Sequence, residues 1–333
     1  MSLNLIEPPT IEPKRHIDVC NGDADGLCAV LQWRLALPAA AELITGLKRD
    51  ICLLERVHAR PGDEVLVCDL SMQRNRPALT RLLQSGVRVT YFDHHDVQGI
   101  PRHPGLLAHI DIAPNICTSL LVDRFVAGRF RAWALVGAYG DNLRAVANAV
   151  ASTLTLSTAQ CESLRRLGES INYNSYGDNE SDVYIAPANL YGLMAAYLSP
   201  LSFLEHEAIV NRIDGMRRAD LAQAQESAVF SECMHGRVRL LVDAPWSRRV
   251  MGTFANTLAA AEPLLAHAVL RQRAAGDFVV SVRAPLASVS GASALCERFG
   301  GSGRSRAAGV DSLPEHELGR FLDAFATTQW GVV

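Results

Sequence analysis

Short apolar runs that each end in an acidic residue or a histidine are the feature that most constrains the fold of this chain. Three such runs are HIDVCNGDADG, EVLVCDLS and VRVTYFDHHD, which begin at residues 16, 64 and 87. Val, Leu, Ile and Cys dominate them, as is typical of buried strands, and helical patterns lie between them. Alternating strands and helices predict an α/β fold with a mainly parallel sheet flanked by helices. The polar residues then gather at the carboxyl edge of the sheet, where open α/β folds bind ligands.

The length of the chain predicts two domains, because 333 residues are many for one hydrophobic core. We expect a metal-binding catalytic domain over residues 1–195, a helical connector over 196–228, and a smaller α+β domain over 229–333 across a cleft. The polar stretch INYNSYGDNESD, residues 171–182, is rich in turn-forming residues and is interpreted as a mobile loop.

Composition favours a globular protein outside the membrane. Apolar residues make up 49% of the chain and charged residues 20%, no apolar run reaches the ~18 residues that cross a bilayer, and we expect a cytoplasmic location. The eight cysteines form no CxxC pair, so buried thiols are favoured over a zinc site. Residues 217–309 contain twelve Arg, no Lys and seven acids, which suits an anionic substrate but equally a solvated basic face.

Two aspartates lie two residues apart in NGDADG, on a strand-to-helix turn that Gly22 and Gly26 allow to be tight. Carboxylates this close repel each other unless a cation lies beside them, so Asp23 and Asp25 are candidate metal ligands. Turn formation and helix capping are the alternative roles for such a pair. Asp69 ends the next strand, where burying an unpaired charge costs several kcal/mol, so we expect it to bind the same metal.

A carboxylate and two imidazoles, Asp93, His94 and His95, directly follow the third strand. Imidazole binds Mn²⁺, Fe²⁺ or Zn²⁺ through a ring nitrogen, and an adjacent carboxylate can orient the ring. One histidine can bind metal while the other reaches substrate only if the backbone turns here, because neighbouring side chains of an extended chain point apart. Asp141 follows an apolar helix, whose C-terminus disfavours an acid unless a cation compensates it. A turn or capping role beside Asn142 is the alternative.

In this order and spacing the four motifs resemble those of the DHH phosphoesterase superfamily, which includes RecJ-type exonucleases, oligoribonuclease-like phosphatases and family II pyrophosphatases. The resemblance covers about residues 16–145. It implies one or two Mn²⁺ ions, with Mg²⁺ or Co²⁺ as alternatives, bound by Asp23, Asp25, Asp69, His94 and Asp141. It further implies that His95 contacts phosphate and that Asp93 supports His94.

The segment FGGSGRSRAAG, residues 299–309, resembles the GGGHxxAAG motif of the DHH-associated C-terminal domain. Consecutive glycines expose backbone N–H groups and permit close approach of a phosphate or carboxylate. The residues that this resemblance assigns to substrate binding are Arg283, Gly300, Gly301, Arg304 and Arg306. Arg304 replaces the histidine usual in the family, and Asn21 stands where many relatives have aspartate or histidine, which leaves a second metal position open.

The resemblance implies hydrolysis of phosphoester bonds by metal-activated water. Long single strands usually require stacking aromatic residues, and only 6% of this chain is aromatic. We therefore expect a short oligonucleotide, a (di)nucleotide or another phosphorylated small molecule as the partner, and a homodimer is left open. The alternatives are a pyrophosphatase or exopolyphosphatase with the same metal core, and a catalytically degenerate nucleotide-binding protein, which the departures at Asn21 and Arg304 suggest.

Overall fold

The computed structural model describes residues 14–288 and 290–331 of the protein. The chain divides into two compact units. The first contains the described residues up to Glu169 together with Pro187–Glu205, and the second contains Ser170–Ala186 together with the described residues from His206 onward. Within the described part of the chain, no helix combines the length and apolar character needed to cross a membrane.

The first unit is built on a five-stranded sheet in which all neighbouring strands run parallel. Its strands are β1 (His16–Cys20), β2 (Ala41–Ile44), β3 (Glu64–Cys68), β4 (Arg88–Asp93) and β5 (Leu106–Ile110). Their spatial order is β2-β1-β3-β4-β5. The predicted α/β class with a mainly parallel sheet is therefore confirmed. The short strand β2 was not predicted, because four half-buried residues give too little periodicity to be recognised.

Helices flank this sheet. They are α1 (Ala24–Ala36), α2 (Met72–Gln84), α3 (Thr118–Phe125), α4 (Arg131–Gly140), α5 (Arg144–Ala151), α6 (Thr158–Asn174), α7 (Pro187–Met194) and α8 (Pro200–His206), with a 3₁₀ helix at Leu53–Arg56. The first nine residues of α1 are all buried, and α1 packs against α3 and α4. A helix enclosed on every side needs apolar residues all round, which explains why residues 27–31 of α1 are all apolar.

The apolar periodicity of the sequence predicts helices over residues 27–37 and 76–84. Both helices begin earlier in the structure, at Ala24 and at Met72. The side chain of Asp23 accepts a hydrogen bond from the backbone N–H of Gly26 and caps α1. The side chain of Ser71 caps α2 in the same way. Capping residues thus fix both starts, because they satisfy N–H groups of the first turn whatever the hydrophobic pattern there.

The second unit is built on a six-stranded mixed sheet with the order β10-β11-β9-β8-β7-β6. Its strands are β6 (Val229–Cys233), β7 (Gly236–Leu241), β8 (Ala266–Gln272), β9 (Phe278–Arg283), β10 (Ser302–Arg304) and β11 (Ala307–Leu313). Its helices are α9 (Ile209–Gln225), α10 (Pro245–Ala261), α11 (Ala292–Glu297) and α12 (Leu318–Thr327). Only β7 and β8 pair in parallel. The predicted α+β character of this region is confirmed.

Successive residues of β8 face opposite sides of the second sheet, as in any strand, and here both faces are covered. Leu270 packs into a core that includes Phe321 and Phe325 of α12. Val269 packs into the other core, which includes Val250 and Phe254 of α10. The second unit therefore has two layers of helix around one sheet.

Residues 171–182, which the sequence predicts to be a mobile loop, contain helical structure at both ends. Helix α6 continues to Asn174, and a 3₁₀ helix spans Glu180–Asp182. Asp182 is 2% exposed and pairs with Arg248 at 3.1 Å. These partners are distant in sequence, so a local count of turn-forming residues could not detect the anchoring.

Candidate functional site

Strands β1, β3 and β4 end side by side, and their carboxyl ends carry the candidate residues. Cys20 of β1 pairs with Cys68 of β3, and Cys68 pairs with Phe92 of β4. The residues that follow each strand are therefore neighbours in space even though many positions separate them in the sequence. This register brings Asp69 and His94 together.

Asp69, His94 and His95 form a group in which one ligand atom from each residue lies within 4.8 Å of the others. The Nε2 atom of His94 is 3.4 Å from Oδ1 of Asp69. Asp69 and His94 are buried, whereas the side chain of His95 is 43% exposed. One carboxylate and two imidazoles suit Mn²⁺, Fe²⁺ or Zn²⁺. Among the described residues, the other three predicted ligands, Asp23, Asp25 and Asp141, lie outside this group.

The backbone at Asp69 adopts a left-handed conformation, with φ of 58°. Residues other than glycine rarely occupy this region, and such strain is concentrated at functional sites. The backbone N–H of Asp69 donates to the carbonyl oxygen of Phe92 at 3.0 Å, and the hydroxyl of Thr118 donates to Oδ1 of Asp69 at 3.3 Å. The aspartate is thus held by β4 and by α3 in its unusual conformation.

The ring of His94 is oriented by the main chain. Its Nδ1 atom lies 3.1 Å from the carbonyl oxygen of Ile116, which can only accept, so Nδ1 carries the hydrogen. Nε2 then faces Asp69 with its lone pair available to a cation when the ring is neutral. This is the arrangement commonly found at metal-binding histidines.

Asp93 contacts His95, not His94. Oδ1 of Asp93 lies 2.6 Å from Nδ1 of His95, and its Oδ2 accepts a hydrogen bond from the backbone N–H of Met72 at 3.3 Å. The expectation that Asp93 supports His94 therefore needs correction, because the carbonyl of Ile116 already occupies Nδ1 of that ring. The backbone turn that both histidines need in order to reach one site is present, because β4 ends at Asp93 and the ring centroids of His94 and His95 lie 4.8 Å apart.

Asp25 is the second residue of α1, and its carboxylate lies against the N-terminus of α3. Its two carboxylate oxygens accept hydrogen bonds from the backbone N–H groups of Thr118 and Ser119, each at 2.7 Å. These bonds satisfy donors that have no partner within the helix. Each carboxylate oxygen retains a second lone pair, so this capping role and cation binding are compatible.

Asp23 pairs with Lys48, which belongs to none of the sequence motifs. One oxygen of Asp23 accepts from the N–H of Gly26 at 3.0 Å, and the other forms a short ion pair with the ammonium group of Lys48. Lys48 follows the unpredicted strand β2, which explains why it was missed. A usable signal was present, because the sequence contains only two lysines, at positions 14 and 48.

The buried charges at this edge act strongly on one another. Burial and the charges of Asp23 and Asp25 raise the pKa of Asp69 well above its ordinary range. Burial opposes protonation of His94, but its hydrogen bond with Asp69 and the charge of that residue raise the pKa of His94 to about 10. The site therefore stabilises positive charge next to Asp69.

Asp141 belongs to an electrostatic cluster at this edge of the sheet, whose other members are Asp23, Asp25, Asp69, His94 and Lys48. It follows the last residue of α4, and burial and the charge of Asp25 raise its pKa to about 6, while Lys48 and His94 act in the opposite direction. Four aspartates therefore share this edge with one lysine and one histidine. A bound divalent metal ion would compensate this excess of carboxylates, so the donor set fits such an ion.

The residues predicted to bind substrate lie in the second unit, at the β9–β11 edge. Arg283 ends β9 opposite Ala307 of β11, and its guanidinium donates to Oδ1 of Asn256 at 2.5 Å. Burial, and more weakly the charge of Arg306, lower the pKa of Arg283. Arg304 and Arg306 are exposed. The structure thus brings the three arginines to one edge of this sheet.

The two glycines of the motif have structural requirements of their own. Gly300 has φ of 72°, a left-handed conformation that favours glycine. A Cβ atom on Gly301 would lie 2.2 Å from the carbonyl oxygen of Gly309. Both glycines are therefore needed to form the hairpin, and their predicted contact with substrate stays a prediction.

Comparisons with known proteins identify the fold. No protein-family model matches the sequence, and no curated protein matches it. Among solved structures, the chain is similar to the DHH domain of a member of the s1p family of ribosomal proteins, with a TM-score of 0.62 and 16% identity over 94% of this chain and 86% of that chain. It is also similar to exonuclease RecJ bound to manganese, with a TM-score of 0.57 and 19% identity over 94% and 89% of the two chains.

A third similar structure is the pGpG-specific phosphodiesterase PggH from Vibrio cholerae, with a TM-score of 0.52 and 13% identity over 94% of this chain and 98% of that chain. These identities are too low to transfer an activity, but the likeness extends over nearly the whole chain. The protein has the fold of the DHH superfamily. The predicted resemblance is confirmed at the level of the fold.

Proposed function

We propose that this protein is a divalent-metal-dependent phosphoesterase that hydrolyses short oligonucleotides or (di)nucleotides with metal-activated water. The observation that carries the proposal is the group formed by Asp69, His94 and His95 at the carboxyl edge of a DHH-type sheet. A divalent ion bound there would lower the pKa of a water molecule and polarise a phosphoryl oxygen. Mn²⁺ is the proposed ion, with Mg²⁺ or Co²⁺ as alternatives.

The roles of the side chains follow from their burial. Asp69 and His94 are buried and would hold the ion, in the electrostatic cluster that includes Asp25 and Asp141. His95 is more exposed, so its Nε2 is the atom available to a phosphoryl group while Nδ1 faces Asp93. A hydrogen bond from this ring to a phosphoryl oxygen would stabilise the negative charge that develops during hydrolysis.

The substrate class is supported by two observations. Arg304 and Arg306 are exposed and supply positive charge at the β10–β11 hairpin, next to Arg283 at the end of β9, and guanidinium groups bind phosphate in a bidentate manner. One structure with the same fold is a phosphodiesterase specific for pGpG, a dinucleotide, and this chain covers 98% of it. We therefore propose a dinucleotide or similarly short substrate.

A panel of phosphoesters tests the proposal. Purified protein is incubated with Mn²⁺ or with EDTA on a dinucleotide, a nucleoside 3′,5′-bisphosphate, pyrophosphate and an aryl phosphodiester. The variant Asp69→Asn removes the central carboxylate, and Asp96→Asn is a matched control because Asp96 is an exposed aspartate just after the histidines. We expect Mn²⁺-dependent cleavage of the dinucleotide by the wild type and the control, and none by Asp69→Asn.

Two other outcomes of the phosphoester panel would contradict the proposal. Cleavage of pyrophosphate alone would replace the proposed substrate class with that of a pyrophosphatase. A wild-type protein that leaves the whole panel intact would favour a binding protein without hydrolytic activity.

A further inference from the structure

We propose that the ammonium group of Lys48 takes the place of one divalent cation, so that this centre binds a single metal ion per chain. The inference rests on the proposed metal-dependent function and deepens it, because it concerns how many ions the site holds. The contacts of Lys48, Asp23 and Asn21 support this assignment.

Lys48 forms an ion pair with Asp23. The ammonium group contacts Oδ2 of Asp23, and the side chain of Asp23 is 3% exposed while that of Lys48 is 31% exposed. The other oxygen, Oδ1, accepts from the backbone N–H of Gly26 at 3.0 Å. The negative charge of this buried aspartate is therefore already compensated by a cation that belongs to the protein.

The side-chain amide of Asn21 contacts the backbone of two loops. Its side-chain oxygen accepts from the backbone N–H of Asp23 at 3.3 Å, and its side-chain nitrogen donates to the carbonyl oxygen of Lys48 at 3.3 Å. Both ends of the amide are thus engaged with backbone. Asn21 adds no negative charge to the centre, and it links the loop that carries Asp23 to the loop that carries Lys48.

The loop that carries Lys48 is fixed in position by its contacts. A Cβ atom on Gly22 would lie 1.9 Å from the carbonyl oxygen of Gly46, so the two loops are in close contact. The carboxylate of Asp50 accepts from the backbone N–H of Leu47 at 2.9 Å and closes the loop on itself. The backbone that carries Lys48 is held in place on both sides of the residue.

The charge of Lys48 acts on more than one aspartate. The charge of Lys48 also acts on Asp141, so one ammonium group serves two of the four aspartates. Asp69 and His94, with His95 beside them, form a separate group that suits one ion. A lysine ammonium is a compact, strongly hydrated point charge, and in this respect it resembles a metal cation more closely than a planar guanidinium does.

The experiment counts bound ions and needs no substrate. Metal-free wild-type protein is titrated with Mn²⁺ by calorimetry, and electron paramagnetic resonance distinguishes an isolated ion from a coupled pair. Lys48→Met removes the charge and keeps the length of the side chain, and Lys48→Arg keeps the charge. Arg49→Met is the matched control, because Arg49 is an exposed cation on the same loop. Thermal denaturation checks that each variant is folded.

We expect one Mn²⁺ per chain in the wild type, Lys48→Arg and Arg49→Met, and two coupled ions per chain in Lys48→Met. Two tightly bound ions in the wild type would overturn the inference, as would a folded Lys48→Met protein that still binds one. If Lys48→Met does not fold, Asp23→Asn decides the matter: it should retain the single ion with an affinity within about threefold of wild type, and loss of that ion would contradict the inference. Absence of hydrolysis with an unchanged ion count would defeat the proposed function alone.

Discussion

Nδ1 of His95 lies 2.6 Å from Oδ1 of Asp93, and this contact fixes the ring of the more exposed histidine of the site. Asp93 is completely buried at the end of β4, and its second oxygen accepts from the N–H of Met72, the first residue of α2. A rigid carboxylate that accepts from Nδ1 leaves Nε2 as the atom that faces solvent or substrate. Asp93 therefore orients the ring of His95, and we propose that it acts as a positioning residue.

The variant Asp93→Asn tests this relationship. We expect kcat for the phosphoester to fall about 10–100-fold, as is usual when the partner of an active imidazole is replaced, with the Mn²⁺ affinity unchanged. The double variant Asp93→Asn, His95→Ala should be no slower than His95→Ala alone, because Asp93 acts through the ring. A double variant that is much slower than the single one would show an independent role for Asp93. Steady-state kinetics and Mn²⁺ titration provide both readouts.

Asp69→Asn should separate stability from metal binding. The folded state raises the pKa of Asp69, so the ionised carboxylate opposes folding, and this cost appears as pH rises through and above the ordinary pKa of the group. Without metal at pH 7, the variant should melt at or above the temperature of the wild type. Saturating Mn²⁺ should stabilise the wild type by ~2.7 kcal/mol at 100 times Kd and the variant hardly at all. A metal-free Asp69→Asn protein that melts well below the wild type would contradict this.

Asp25→Asn is the comparison for that experiment, since Asp25 is equally buried but satisfies two backbone donors of α3. An asparagine has one oxygen and cannot accept both bonds. The metal-free variant should lose about 1–3 kcal/mol of stability because a buried donor is left unsatisfied. Opposite signs for the two substitutions, measured by thermal denaturation, would distinguish a charge held for a cation from a carboxylate that caps a helix.

Gly22→Ala should disrupt the contact between the loops of Asp23 and Lys48. The added methyl group would lie 1.9 Å from the carbonyl oxygen of Gly46 and 2.7 Å from the side chain of Pro187. We expect a loss of about 1–3 kcal/mol, the usual cost of overpacking. Gly192→Ala is the control, because Gly192 lies in α7 with no neighbour within 4 Å of its Cβ position, and it should gain about 0.4–1 kcal/mol. Equal effects of the two substitutions in urea denaturation would argue against the close approach.

Asp63 gives a pH-dependent test of the sheet away from the metal centre. The carboxylate of Asp63 accepts hydrogen bonds from the backbone N–H groups of Arg60, at 2.8 Å, and Arg15, at 3.0 Å. Burial opposes ionisation of Asp63, but these bonds lower its pKa. A depressed pKa contributes stability above the unfolded value of about 3.9, and that stability is lost as pH falls through the folded value. Asp63→Asn should cost about 1–3 kcal/mol at pH 7, with a smaller difference below about pH 3. A difference that is constant with pH would exclude an electrostatic origin.

The local sequence was sufficient for the strands that form the centre of the first sheet. The VLVC segment of the run EVLVCD is continuously apolar because both faces of a parallel sheet are covered, and this pattern is readable without any partner. Helix starts were less well predicted, since a capping residue such as Ser71 acts on N–H groups beyond the reach of hydrophobic periodicity. Strand β2 was missed, and with it the loop that presents Lys48.

The sequence by itself determined that the polar residues after the first, third and fourth strands share one edge, because parallel strands all point their carboxyl ends the same way. It could not determine what each aspartate faces, since that depends on pairs such as Asp25 with Thr118 and Asp23 with Lys48, which lie 93 and 25 residues apart. Only the tertiary structure decided these pairs. Periodicity describes which face of an element is buried, whereas the partner of a buried charge is chosen by how the elements pack.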